Sequence, residues 1–215
     1  MASGGLYESQ NNVKTAAEWG VYMSKRILVL LGHPDSASFC AALAAAYSEA
    51  ARDAGHEVRV LRLGELAFDP ILHEGYRRFQ DLEQDLISAQ AEILWAEHLV
   101  FVYPVWWGAM PALLKGFFDR VFLPGFAFKY RDGSVLWDRL LSGRSARLLV
   151  TMDTPPWFYR WVYRMPGHNQ MRRTILEFSG IKPVKISNFG TVRGSGAERR
   201  QRWLTAAQRL GSRGE

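Results

Sequence analysis

Cysteine is almost missing from this chain: Cys40 is the only one in 215 residues. An internal disulfide is therefore excluded, and a reducing, cytoplasmic setting is expected. No apolar run reaches the roughly 18 residues that a membrane-spanning helix needs, so membrane insertion is not expected. Residues 1–24 lack the basic start, apolar centre and small-residue cleavage site of a secretory signal. Internal repeats and low-complexity segments are absent, and so are the G-x-G-x-x-G fingerprint and the Walker loop. A nicotinamide Rossmann site and an NTPase are thereby disfavoured, and no metal site is expected.

Acidic residues are outnumbered, giving a net charge of +6 and a pI near 9.6. The excess sits largely near the C-terminus, at Arg193, Arg199, Arg200, Arg202, Arg209 and Arg213. Such a balance permits attraction to phosphates and anionic cofactors, but it does not by itself make a nucleic-acid binder, and none is expected. Residues 1–24 show neither strand alternation nor a helical stripe and are expected to be a mobile extension, with a short surface helix from Lys14 to Met23 as the alternative. Residues 25–215 are expected to form a single domain.

What is present is a regular alternation. Ile27–Leu31 is a continuous apolar run of strand length, and further strands are expected at Glu57–Leu61, His98–Tyr103, Ala146–Thr151 and Val184–Phe189. Between them lie helical patterns at Ala41–Ala54, closed by Gly55, at Phe79–Glu97, at Pro111–Phe122 with proline in the first turn, and at His168–Ser179, closed by Gly180. A last helix is expected over Ala197–Leu210. Residues 64–74 and 124–145 read as turns and loops. Five such strands alternating with helices predict an α/β fold: a doubly wound, five-stranded parallel sheet with helices on both faces, buried strands, and the order 2-1-3-4-5 of the flavodoxin arrangement.

That topology brings three loops to the carboxyl edge of the sheet, where ligands bind. The first, 32-GHPDSASF-39, offers His33, the hydroxyls of Ser36 and Ser38, and the N–H groups of Phe39 and Cys40 to an anion at a helix N-terminus. The plainer reading makes Ser38 an N-cap and His33 a satisfied loop residue. The second loop, 104-PVWWGAMP-111, sets two adjacent tryptophans beside backbone N–H groups, a surface suited to a planar heteroaromatic ring, although one of the two is expected to pack inward. The third, from Thr151 to His168, is dense in aromatics: Trp157, Phe158, Tyr159, Trp161 and Tyr163. An unstructured loop of about 17 residues is unusual and points to a pocket wall, a dimer contact or an apolar cover.

Taken together, 29-VLLGHPDSASF-39, 103-YPVWWGAMPALLKGFFDRVFLPGFAF-128 and the Thr151 loop resemble the NAD(P)H:quinone oxidoreductases, the DT-diaphorase-like flavoproteins. That group also contains the ancillary oxidoreductases of potassium efflux systems. The resemblance implies a flavodoxin-like domain with non-covalent flavin, FAD or FMN, with FAD preferred. It also implies NAD(P)H as electron donor, a quinone-like acceptor, ping-pong hydride transfer and a homodimer with the aromatic third loop near its interface. Carried over by position, His33, Ser38, Phe39 and Cys40 would line the phosphate and ribityl chain. Pro104, Val105, Trp106 and Trp107 would contact the ring, with Trp107 walling the substrate pocket, and Thr151, Met152, Asp153 and Thr154 would run along its pyrimidine side. Tyr159 and His168 are the implied catalytic pair. Lys115, Asp119 and Arg120 would be structural or dimer-forming. Cys40 stands where an Asn is common, Asp153-Thr154-Pro155-Pro156 replaces a glycine-rich loop, and Gly125 stands where some FAD-binding relatives have a Glu, so the choice of flavin stays open. A flavin-binding ancillary module of a membrane transporter is the alternative function.

Overall fold

The computed structural model describes residues 24–78 and 80–215. The expected extension and its alternative helix therefore lie outside the described residues, apart from Ser24, whose hydroxyl donates to the Gly55 carbonyl.

Strands β1 (Arg26–Leu31), β2 (Glu57–Arg62), β3 (His98–Pro104), β6 (Ser145–Met152) and β7 (Val184–Gly190) form one parallel sheet in the order β2-β1-β3-β6-β7. Counting these five alone, the order is the expected 2-1-3-4-5. Alternate residues of the central strands feed two cores. Leu28, Leu30, Leu99, Phe101, Leu148 and Val150 face helices α2 (Gln84–Trp95) and α3 (Ala112–Val121). Ile27, Val29, Val100, Val102 and Leu149 face α1 (Phe39–Asp53) and α6 (Ala197–Ser212). Burial on both faces explains why these strands read as unbroken apolar runs. α6 lies against α1 so closely that a Cβ on Gly211 would stand 2.2 Å from the Tyr47 carbonyl oxygen, so only glycine allows the contact.

Several expectations are corrected in detail. β2 is an edge strand with half-exposed residues rather than a strand buried on both faces. α2 starts at Gln84; the expected start at Phe79 lies outside the described residues, and residues 80–83 are not helical. Pro111 is the N-cap of α3 rather than its first-turn residue. The 124–145 segment holds a small antiparallel pair, β4 (Phe128–Tyr130) and β5 (Trp137–Arg139). The long third loop is not structureless: it holds the short helix α4 (Pro156–Trp161), started by Pro156. The following helix begins at Pro166, not His168, as α5 (Pro166–Asn169), and continues as a wider π-type segment over Gln170–Leu176.

Arg120 is structural. Its side chain is fully buried and bonds both carboxylate oxygens of Glu83 together with the Asp69 and Asp81 carbonyls. It thereby ties the irregular segment before α2 to α3.

Candidate functional site

The first loop is shaped by its own side chains. Ser38 caps α1, its Oγ accepting from the Ala41 N–H at 3.2 Å. The Asp35 N–H donates to His33 Nδ1 at 2.9 Å, and Asp35 Oδ1 accepts from the Ala37 N–H. The plainer reading of Ser38 and His33 is thus correct as far as it goes. It leaves the N–H groups of Phe39 and Cys40 without an acceptor among the described residues, at the positive end of a 15-residue helix. His33 also turns the edge of its ring to Trp106, with centroids 5.4 Å apart.

The second loop is a tight reversal. Trp106 and Ala109 exchange both backbone hydrogen bonds, at 2.9 and 3.0 Å, and the two residues between them have positive φ, 50° at Trp107 and 78° at Gly108. This is the geometry of a type I′ turn, in which Gly108 is at home and Trp107 is strained. Trp107 is fully exposed and Trp106 is 44% exposed, so neither packs in the core as expected for one of them. The N–H groups of Trp107 and Gly108 have no acceptor among the described residues. The Val105 N–H donates to the Thr151 carbonyl at 2.7 Å, which joins the second loop to the third.

In the third loop the Thr151 hydroxyl lies 3.2 Å from Cys40 Sγ. Burial pushes the Cys40 thiol up to about 11, so it stays protonated and is no nucleophile at neutral pH. Asp153 Oδ1 accepts from the Arg193 N–H at 2.6 Å, fastening the loop after β7 to the site.

A cavity of about 320 Å³ opens between the loops. His33, Ser38, Phe39, Cys40, Pro104, Val105, Trp106, Thr151, Met152, Asp153 and Thr154 line it, all of the expected cofactor-lining residues except Trp107. Val192 and Arg193 also line it and were missed from sequence; their place just past the fifth strand, on the same sheet edge, was the available signal. Trp107 instead walls a second cavity of about 500 Å³ with Val105, Gly108, Thr154, Tyr163 and Pro166. The two cavities share Val105 and Thr154.

Neither Tyr159 nor His168 lines these cavities. Tyr159 is buried; its hydroxyl donates to the Gly108 carbonyl at 2.9 Å and accepts from the Gly167 N–H at 3.0 Å. His168 packs edge-on against it, 5.0 Å between ring centroids, and its Nε2 meets Asn188 Oδ1 at 2.7 Å. Since an amide oxygen only accepts, Nε2 carries the proton. Burial holds the His168 pKa below the usual value, keeping the ring neutral. The tyrosine that reaches the cavity is Tyr163.

This donor set fits a flavin. A phosphate suits the free N–H groups at the start of α1 beside His33. The flat walls of Pro104 and Trp106 suit a tricyclic ring, and the free N–H groups of Trp107 and Gly108 stand beside it at the adjoining second cavity.

Comparison with known proteins agrees with this geometry. A family described as having a flavodoxin-like fold matches residues 25–213. A Haemophilus influenzae protein named an uncharacterized NAD(P)H oxidoreductase is 30% identical over 171 residues, 77% of this chain and 83% of that one. NAD(P)H dehydrogenase [quinone] 1 of Cavia porcellus is 32% identical over 49% of this chain and 46% of its own length. Such matches span from about half to most of the relatives' lengths. Among solved structures, the NAD(P)H:quinone oxidoreductase from Methanothermobacter marburgensis superimposes with a TM-score of 0.75 at 26% identity, covering 90% of this chain and 100% of that one.

Proposed function

The chain belongs to the flavodoxin-like family, on its NAD(P)H:quinone oxidoreductase branch, and on that premise we propose that it binds a flavin and moves two electrons from NAD(P)H to a quinone or similar planar acceptor. The observation that carries the reading is the pair of adjoining cavities. One is rich in N–H donors and flat walls, the other is open and aromatic, and they meet at Val105 and Thr154. A cofactor in the first would present its ring to a substrate in the second. Donor and acceptor would use that second cavity in turn, which is ping-pong use of one site.

A bound flavin supplies the hydride chemistry that no side chain here can. The chain supplies position and charge. The Phe39 and Cys40 N–H groups, with Ser38 and His33, would hold the phosphate end. Pro104, Val105 and Trp106 would flank the ring. The Trp107 and Gly108 N–H groups would meet its polar edge together with the stretch from Thr151 to Thr154, offsetting the negative charge that builds there on reduction. Tyr159 and His168 would act from behind, by fixing the Gly108 turn and the start of α5. The Trp107 and Tyr163 rings would shelter the second cavity from water.

The homodimer implied by the resemblance belongs to the same proposal. What supports it is a groove of about 510 Å³ between α3 and the β4 strand, walled by Phe118, Phe122, Phe128, Tyr130 and Phe178 with Lys115 and Asp119 at its rim. Sedimentation velocity tests it. The transporter-module alternative gains no support, because the relatives carry oxidoreductase names.

The deciding experiment is an anaerobic visible spectrum of purified protein before and after NADPH or NADH. The expected result is a flavin band that bleaches and returns on adding a quinone. Chromatography of the released cofactor then separates FAD from FMN. Protein that stays colourless after incubation with both flavins overturns the proposal.

A further inference from the structure

The amino edge of the sheet, opposite the cavities, carries a basic cluster that the proposed function does not use. Arg147 on β6 and Lys185 on β7 are directly paired in the parallel register, so their side chains leave the sheet on one face. Like charges set side by side in this way repel. What stands between them is a carboxylate: Glu215 Oε2 accepts from Arg147 Nη2 at 3.3 Å and from Lys185 Nζ at 3.1 Å. Lys25, just before β1, donates to the neighbouring Gly214 carbonyl at 2.9 Å, the ordinary place for a cation at a helix C-terminus. Arg213 adds to the field on Glu215, whose carboxyl is held below the usual range, chiefly by Lys185. Four cationic side chains thus meet one carboxylate side chain.

Donors are also left over. The Arg147 side chain is only 8% exposed; its Nη1 donates to Ser187 Oγ at 3.0 Å, but its Nε has no acceptor among the described residues. His56, after α1, accepts the Lys25 N–H on Nδ1 at 3.2 Å, so its proton sits on Nε2, which finds no partner among the described residues. His98, at the start of β3, meets Ser145 Oγ through Nδ1 at 2.8 Å and leaves Nε2 unused. Both histidines are buried, and Lys25, Arg147 and Lys185 all bear on His98. The turn from Gly211 to Glu215 covers these groups without satisfying them: a Cβ on Gly214 would stand 2.9 Å from His56 Nε2. A buried guanidinium is stable only when paired and hydrogen-bonded. One carboxylate oxygen shared with a lysine is a partial answer, and a tetrahedral oxyanion offers more acceptors to the same donors.

We propose that the amino edge of the sheet is an oxyanion site, built by Arg147, Lys185 and Lys25, with the Glu215 carboxylate as its built-in occupant and phosphate as the ligand class that replaces it. The inference stands apart from the flavin and quinone chemistry, which lie at the other edge.

The test is thermal unfolding of the intact chain against inorganic phosphate, with sodium chloride at matched ionic strength as the reference. An attached carboxylate competes at millimolar effective concentration. Glu215→Gln removes that competitor and keeps its shape. Phosphate is then expected to raise the melting temperature saturably, with a half-saturating concentration about tenfold or more below that of wild type. Adding Lys185→Gln, at a side chain 55% exposed, should raise the half-saturating concentration about threefold. Phosphate also suits the N–H groups at the start of α1, so the response must survive His33→Gln. Equal responses of Glu215→Gln to phosphate and to chloride overturn the proposal and leave Glu215 in an ordinary ion pair. A response that Lys185→Gln does not weaken, or that His33→Gln abolishes, overturns it as well. Should Glu215→Gln fail to fold, Glu215→Asp, which draws the carboxylate back by one methylene, carries the same titration.

Discussion

Tyr159 holds Gly108 by its carbonyl: the phenol donates to Gly108 O at 2.9 Å while accepting the Gly167 N–H at 3.0 Å. One buried hydroxyl thus braces the junction of the Trp107–Gly108 turn with the start of α5, which the Gly167 N–H also closes directly on the Gly108 carbonyl at 3.0 Å, and both flank the second cavity. Tyr159→Phe removes both bonds of the hydroxyl, while the Gly167 N–H keeps its direct bond to the Gly108 carbonyl, so the cost is about 0.5–1.5 kcal/mol. The melting temperature is expected to drop by roughly 1–6 °C. Flavin content should hold, since Tyr159 does not line the first cavity, while the rate of flavin reduction by NAD(P)H falls in stopped flow. An unchanged rate would leave Tyr159 a structural residue only.

Much of this was legible in the residues, and for identifiable reasons. β1, β3 and β6 read as strands because both faces are buried, which leaves an apolar run with no competing period. Their ends place the three loops, so eleven of the twelve expected cofactor-lining positions reach one cavity. The β4–β5 pair was not legible: each strand is only three residues long, too short to show an alternation. α4 was hidden by Pro155, Pro156 and a run of aromatics with modest helix propensity. The Trp107 turn was unreadable as type I′, because the usual signal is Asn-Gly and a tryptophan at positive φ is imposed by the surrounding chain. Tyr159 and Tyr163 sit four residues apart, a helical spacing, but α4 ends between them at Trp161, and the first is buried while the second is exposed.

Trp107 makes a sharper case. Its φ of 50° costs about 1–2 kcal/mol for an L-residue, and its exposed ring returns no burial. Trp107→Gly relieves that strain but adds freedom to the unfolded chain, worth roughly 0.5–1 kcal/mol in the other direction. The melting temperature is expected to stay within about 3 °C of wild type. The function lost is the cavity wall, so KM for the quinone rises more than kcat falls. Trp107→Val, β-branched at positive φ, is expected to lower the melting temperature instead.

Acid sensitivity follows from buried histidines. The pKa of His98 is driven down by burial to about 3, with Lys25, Arg147 and Lys185 adding to the effect, and burial also lowers that of His168. Each is neutral in the fold but takes up a proton near pH 6.5 once unfolded. Below that pH the unfolded chain binds more protons, and stability is lost as pH falls. The full contribution is present above pH 6.5, and for His98 the loss approaches about 1.4 kcal/mol per pH unit between there and pH 3, with His168 acting in the same direction. Urea unfolding at pH 7 and pH 5 measures the slope. His98→Gln, which cannot titrate, is expected to make it shallower by close to one proton.

Arg120 predicts a failure of folding rather than of chemistry. Its guanidinium is wholly buried and bonds Glu83 and two carbonyls of the segment before α2, where Gly116 lets Pro70 approach. Arg120→Met leaves the Asp69 and Asp81 carbonyls without this donor and takes one partner from the Glu83 carboxylate, which is one-third exposed and keeps the Asp69 N–H, at a cost of about 2–3 kcal/mol. Replacing Glu83 as well, in Arg120→Met with Glu83→Leu, is expected to recover part of the loss. Denaturant midpoints for the single and double variants check this, and additive effects would show that the two residues do not act as a pair.

Asp153 and Arg193 close the rim of the first cavity through a hydrogen bond from the Arg193 N–H to Asp153 Oδ1, at 2.6 Å. The bond joins two loops that otherwise end on different strands, β6 and β7, and both residues line the cavity. Asp153→Ala loosens the β7–α6 loop, which stays tied by the Val192 N–H to the Met152 carbonyl at 3.1 Å, without touching the core, because Asp153 is exposed. Global stability is therefore expected to change by less than about 1 kcal/mol. The cofactor then binds a less organised pocket, with Kd for flavin rising about 5- to 50-fold, a coupling of roughly 1–2.3 kcal/mol. Asp153→Asn keeps an oxygen acceptor for the Arg193 N–H and should restore most of the affinity. Fluorescence titration of the apoprotein with FAD and with FMN separates these cases. Equal flavin affinity in wild type and Asp153→Ala would mean that the rim bond shapes the loops without serving the cofactor.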